Sequence, residues 1–168
     1  RQAMATVASE TYTSTSAPIQ YAAMSAFTPN PLIDIYVEQC RSILARLSET
    51  VMEMLNVLEI KVHKPRGGFY VFPDFDPYRE RLRRSNISTS RELCQRLLAD
   101  TGVAVLPGSD FGRPIEDLTV RIAFVDFDGS AALAHYPDDS IVDRAFVGEH
   151  CSKTIEAVRR VVDWICSF

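Results

Sequence analysis

The apolar residues Ile35, Val37, Ile43, Leu44, Leu47, Val51, Met52, Leu55 and Leu58 recur at helical spacing behind the punctuating run Thr28-Pro29-Asn30-Pro31. This pattern predicts one helix of about six turns. Such a rod, apolar along one stripe, is stable only against other elements, and the rest of the chain supplies them. Ile60 and Val62 alternate with Lys61 and His63, Gly67-Gly68 turns the chain, and Phe69 to Phe75 reads as a second strand candidate. Thr89 with Glu92 three residues later is a capping box, opening a helix that carries Leu93, Leu97 and Leu98 to a stop at Gly102. Val103 to Leu106 and Leu118 to Phe127 are strands. A helix with Ile155, Val158, Val161, Val162 and Ile165 on one face closes the chain to about Ser167. The order helix, strand pair, helix, strand, strand, helix predicts an α/β (α+β) sandwich, a small sheet with helices packed on one face.

With 168 residues and 46% hydrophobic content, the chain supports one ordinary core, or one compact domain with a short appendage. Residues 1–28 are rich in Ser, Thr and Ala, with Ser16 placed to cap a helix and Pro18 in its first turn, and they read as that appendage beside a domain of residues 29–168. The opening Arg-Gln-Ala, with no initiator methionine, suits a chain that has been cut. A formal charge of −4 gives no general attraction to nucleic acid or anionic membranes, so the expected partner is small. No apolar run approaches the roughly 20 residues that cross a bilayer, and the start lacks the features of a secretory signal. Cys40, Cys94, Cys151 and Cys166 lack the close pairing of a zinc site and read as reduced thiols of a cytoplasmic protein. His63, His135 and His150 are too scattered in sequence to suggest a metal site.

Arg121 stands out. It lies within Leu118-Thr119-Val120-Arg121-Ile122-Ala123-Phe124, just after the glycine-bounded loop Pro107-Gly108-Ser109-Asp110-Phe111-Gly112. An arginine among Val120, Ile122 and Phe124 is costly to bury unpaired, and its planar fork of donors matches a carboxylate in two parallel hydrogen bonds. The bland alternative is a salt bridge to Glu116 or Asp117 on a solvated sheet face, since Thr119, Arg121 and Ala123 share one side of the strand. A second candidate is Asp126-Phe127-Asp128-Gly129 after an apolar strand, which resembles the first motif of haloacid-dehalogenase-type phosphatases, with Asp126 as nucleophile, Asp128 as general acid and magnesium between them. The 42 residues after Asp126 are too few for the further parallel sheet that chemistry needs, and a polar turn closing a strand explains the motif better.

Three stretches in order resemble the class I/II (fold-type I) pyridoxal-phosphate-dependent aminotransferases. These are Ser14-Thr15-Ser16-Ala17-Pro18-Ile19-Gln20-Tyr21-Ala22-Ala23, then Pro65-Arg66-Gly67-Gly68-Phe69-Tyr70-Val71-Phe72, then the Pro107–Gly112 loop leading to Arg121. The resemblance covers nearly all of the chain. It implies that residues 1–28 are a remnant of the large cofactor-binding domain, and that residues 29–168 are the C-terminal small domain. It makes Arg121 the grip on the substrate's α-carboxylate and Phe69 a residue near the substrate. It implies pyridoxal 5'-phosphate in the full-length protein, an amino acid and a 2-oxo acid as substrates, and a homodimer. The Schiff-base lysine is not expected here: Lys61 and Lys64 flank the strand leading into the glycine turn, and Cys151-Ser152-Lys153 echoes the family's Ser-x-Lys signature without the glycine that should follow. By this resemblance the chain alone is inactive and holds no cofactor stably. A ligand-binding aminotransferase-like domain of a transcription regulator, or a module serving only folding and dimerisation, would share the same features.

Overall fold

The computed structural model describes residues 2–11, 14–58 and 60–168, so that Arg1, Tyr12 and Thr13, part of the segment read above as the appendage, lie outside the described residues. The chain divides into two compact units, Arg1–Glu38 and Gln39–Phe168. In the first, α1 (Gln2–Thr11), α2 (Ala17–Phe27) and the opening turns of α3 (Pro31–Asn56) are helical by local pattern alone, for no described residue up to Glu38 is buried. Ser16 stands at the N-cap of α2 with proline in the first turn, as expected, but its hydroxyl makes no capping bond. Instead its carbonyl accepts from the Gln20 amide (3.1 Å), and the Gln20 side chain donates to the Thr15 carbonyl (2.7 Å). The long helix begins at Pro31, where a missing N–H is harmless, and Asn30 Oδ1 accepts from the Leu32 amide at 2.9 Å. Ile35 and Val37, counted in its apolar stripe, are exposed; burial begins at Ile43.

In the second unit α3 lays Ile43, Leu47, Val51 and Leu55 into the core, one residue per turn on one face. The chain then passes through β1 (Tyr70–Val71), a 3-10 turn at Asp76–Tyr78, α4 (Arg79–Arg84) and α5 (Ser90–Thr101). After these come β2 (Leu106–Pro107), a second 3-10 turn at Gly108–Phe111, β3 (Val120–Ala123), α6 (Gly129–Ala134), α7 (Arg144–His150) and α8 (Ser152–Cys166). The expected capping box of α5 is present: Thr89 accepts from the Glu92 amide, and the Glu92 carboxylate accepts from the amides of Thr89 and Ser88. Gly102, with φ of 73°, ends the helix in the left-handed conformation.

The sheet is antiparallel with order β1-β3-β2, so the strand bearing Arg121 is central. Along it Val120, Ile122 and Phe124 are buried while Arg121 and Ala123 are not. The buried side meets α3, Leu93 and Leu97 of α5, and Val158, Val161 and Ile165 of α8 within one core. The helices therefore cover one face of the sheet, and the other is left open.

The strands are shorter than their sequence patterns suggest. Ile60-Lys61-Val62 contributes one bridge, Lys61 to Asp74, rather than a strand, and the stretch from Phe69 to Phe75 is regular only at Tyr70–Val71. Pro73 is the reason: it has no N–H for the ladder, although its carbonyl still accepts from the Val120 amide at 3.2 Å. Gly68 has φ of 72°, but the turn it makes lies inside a wide loop and not in a two-residue hairpin. The helix expected to close the chain is present as α8, and two short helices precede it, α6 and α7, separated by Tyr136-Pro137 and the acidic stretch that follows.

Candidate functional site

Arg121 lies on the open face of the central strand, opposite Leu106 of β2. Two aromatic residues hold it. Its Cζ sits over the Tyr70 ring at 4.3 Å and over the Phe111 ring at 4.3 Å, well inside the range in which an aromatic quadrupole attracts a cation. Tyr70 comes from β1 on one side of β3. Phe111 comes from the turn that follows β2 on the other. Further rings extend the row: Phe69 packs on Tyr70 with centroids 4.5 Å apart, and Phe72 meets Phe111 edge-on at 5.6 Å.

Nothing competes for the guanidinium's donors: among the described residues Arg121 makes no salt bridge. Asp117, the neighbour expected to neutralise it, pairs with Arg113 at 2.7 Å, and the backbone carbonyl of Glu116 accepts from Arg79 at 2.8 Å. The fork stays free for a planar anion arriving along its edge.

The Phe111 ring is held in place by its loop. A Cβ at Gly108 would stand 2.0 Å from Thr119 Oγ1 and 3.0 Å from the Thr119 carbonyl, so only glycine allows this approach. The Gly108 amide then donates to the Thr119 carbonyl at 2.8 Å, welding the turn to β3 two residues before Arg121. The same approach leaves the Thr119 hydroxyl buried without a partner. Ser109 and Asp110 tie the turn to the start of α5 through Ser90 (3.2 Å) and Arg91 (3.2 Å), and Gly112, with φ of 81°, turns the chain away.

Of the two residues singled out from sequence, Arg121 stands between the rings of Tyr70 and Phe111. Phe69 is 36% exposed and touches it only through Tyr70. Tyr70 and Phe111 were missed as site residues, although each sits in one of the two glycine-bounded motifs. The alternation of β1, with Val71 buried between Tyr70 and Phe72, was the available signal. The phosphatase reading finds no support: the Asp128 carboxylate caps α6 by accepting from the Ala131 amide (2.9 Å). No cluster of three metal-ligating side chains occurs among the described residues. His135 and His150, distant in sequence, do stack with centroids 5.0 Å apart, but the first spends Nδ1 on the Ala131 carbonyl.

The lysines are poorly suited to a covalent cofactor. A lysine becomes a nucleophile near neutral pH by desolvation or by a neighbouring cation. Lys61, Lys64 and Lys153 are all exposed, and Lys64 pairs with Glu49 at 3.4 Å. Lys153 lines a cleft of about 420 Å³ together with Asp126 and Glu156.

Fold and site together define an α/β unit that offers a free guanidinium, gripped by aromatic rings, on the open face of a three-stranded sheet. The profile of the family described as aminotransferase class I and II matches residues 1–132, and the chain belongs to that family. It is 34% identical over 123 residues to the aspartate aminotransferase of Bacillus sp. (strain YM-2), covering 73% of this chain and 29% of that protein. It is 33% identical over 110 residues to the aspartate/prephenate aminotransferase of Thermus thermophilus, covering 66% and 26%. The solved aspartate aminotransferase from Thermus thermophilus with maleate superposes with a TM-score of 0.63 at 25% identity, over 96% of this chain and 33% of that one. The chain spans about a quarter to a third of the length of these relatives. No helix among the described residues is long and apolar enough to cross a membrane.

Proposed function

We propose that the chain is the C-terminal part of a pyridoxal-phosphate-dependent aminotransferase, with residues 1–28 belonging to its large domain and residues 29–168 forming its small domain, and that Arg121 binds the α-carboxylate of the amino acid or 2-oxo acid. The observation that carries this reading is the unpaired guanidinium on the open sheet face. The exposed lysines do not fit the cofactor, which in the complete homodimeric, cytoplasmic enzyme is held by residues outside this chain and supplies the electron sink of the reaction.

What the chain contributes is orientation. A carboxylate held at two oxygens by one rigid fork loses rotation about its own axis, and the bond to be broken at Cα is then aimed in a fixed direction. No proton transfer is assigned to Arg121, whose guanidinium offers donors and no acceptor. Apolar rings on both sides of the cation displace water from it and strengthen its attraction for an anion. The regulator reading has no observation in its favour, and the relatives described above are named as aminotransferases.

Replacing Arg121 by Lys keeps the charge and removes the fork. Charge-assisted hydrogen bonds contribute about 1.5–3 kcal/mol, so in the complete enzyme KM for the amino acid should rise on the order of tenfold to a hundredfold, with a smaller change in kcat. Steady-state kinetics with unchanged KM would remove Arg121 from this role.

A further inference from the structure

A carboxylate clamp faces a conflict. Its guanidinium must be fixed before the substrate arrives, because a long arginine side chain carries rotamer entropy that binding would otherwise have to overcome. Yet the usual means of fixing an arginine, a carboxylate partner, would occupy the donors the substrate needs. The open face of the sheet resolves this with rings in place of acids. We infer that Tyr70 and Phe111 are positioning residues for the Arg121 clamp, holding the cation by its attraction to their π faces while leaving its N–H groups free. The inference rests on the reading of Arg121 given above and extends it to the two residues whose rings touch its guanidinium.

Three observations support it. The two contacts are equal, 4.3 Å each, and come from the strand on one side of β3 and the turn on the other. The donors are unpaired among the described residues, so it is the rings that locate the group. And the Phe111 turn is anchored independently of Arg121, through the Gly108 contact with Thr119 and the ties from Ser109 and Asp110 to α5. A ring borne on such a turn is a fixed wall. Phe72 backs it edge-on, and Phe69 backs Tyr70, so the row is buttressed at both ends.

The test compares Tyr70→Leu and Phe111→Leu, which keep apolar bulk without a π face, against Tyr70→Phe and Phe111→Tyr, which keep the ring. Two readouts are taken. In the ¹⁵N-labelled 168-residue chain, the Arg121 Nε–Hε resonance is followed with and without maleate as the probe. In the complete enzyme, KM and kcat for the amino acid are measured. Loss of either ring should move the resonance toward that of a free arginine and raise KM about threefold, the double leucine variant about tenfold, with kcat within about twofold. The ring-keeping variants should restore the parent values in both readouts, which a merely space-filling role would not require. Leucine variants with parent resonance and parent KM, beside an Arg121→Lys variant that loses affinity, would refute the positioning role and leave the clamp standing. An Arg121→Lys variant with parent affinity would refute both. If Phe111→Leu alone lowers the melting temperature of the chain, Tyr70→Leu decides the matter, since Tyr70 is anchored through β1 and not through the turn.

Discussion

The two units of this chain treat their apolar side chains in opposite ways. In residues 39–168 the large ones converge: Phe75, Phe124, Leu47, Leu55, Leu93, Leu97 and Leu118 are completely buried. Among the described residues up to Glu38 none is buried, with Phe27 at 88% exposure and Met4, Tyr21 and Leu32 close behind. Both stretches are helix-forming by local pattern, so the difference teaches that periodicity sets a helix and that only a sheet or a further helix layer buries it. The first unit has no layer of its own to fold against. Its exposed apolar side chains are what the proposed large-domain origin of residues 1–28 requires, since there they would pack on the body of that domain.

The largest expected effect separates the units directly. Phe75→Ala should destabilise the second unit by about 3–5 kcal/mol, because it removes a buried ring and leaves a cavity among tightly packed neighbours. Phe27→Ala, which deletes as many atoms, should change stability by less than about 0.5 kcal/mol in this chain. Urea denaturation followed at Trp164, the single tryptophan, reports the second unit alone. Equal losses for the two variants would show that Phe27 is buried after all. In the same chain α1 and α2, at 10 and 11 residues, are shorter than isolated helices that persist in water. Their amides should exchange with deuterium well before those of α5 and α8.

A smaller effect sharpens the contrast within the second unit. Gly108→Ala should cost about 1–3 kcal/mol, because its methyl would meet the Thr119 side chain and carbonyl, and the turn carrying Phe111 would have to move. Gly148→Ala, in the middle of α7 with open space around its would-be Cβ, should stabilise by about 0.5–1 kcal/mol. Thermal melts of the two variants should therefore shift in opposite directions.

How much of this was legible in the sequence depends on the range of the interaction. The α5 capping box, its Gly102 stop and the long helix from Pro31 are encoded within a few residues of where they act, and the structure has them. The strands were overestimated because a period-2 pattern shows which face is buried, whereas ladder length depends on donors, and Pro73 removes one. Arg121 draws attention in the sequence by its setting between apolar neighbours. Its two rings were not: Tyr70 precedes it by 51 positions, and only the strand order β1-β3-β2 puts Tyr70 and Phe111 on opposite sides of it. Nor was the exposure of Ile35 and Val37 legible, since a stripe does not reveal where along a helix its partner begins.

The smallest expected effect is an acid-side loss of stability confined to the second unit. The Asp100 carboxylate accepts from the Trp164 indole at 2.9 Å and from Arg96 at 2.9 Å, tying the end of α5 to α8, and these bonds hold its pKa below the ordinary 3.8, the indole contributing most. Glu92 is lowered likewise by the amide of Ser88 and the cap it forms with Thr89. A carboxyl whose folded pKa is depressed binds its proton more readily in the unfolded chain. Its stabilisation is therefore complete above the unfolded value and fades as the pH falls through the folded one, which places the loss below pH ~4. Both groups are solvent-exposed, so the effect is modest and should shrink with added salt. Asp100→Asn should flatten the dependence of the melting temperature on pH in that range and shift the emission of Trp164, while leaving helical exchange in residues 2–27 unchanged. A parallel change in those residues would mean that the two units unfold as one, and the division between them would have to be abandoned.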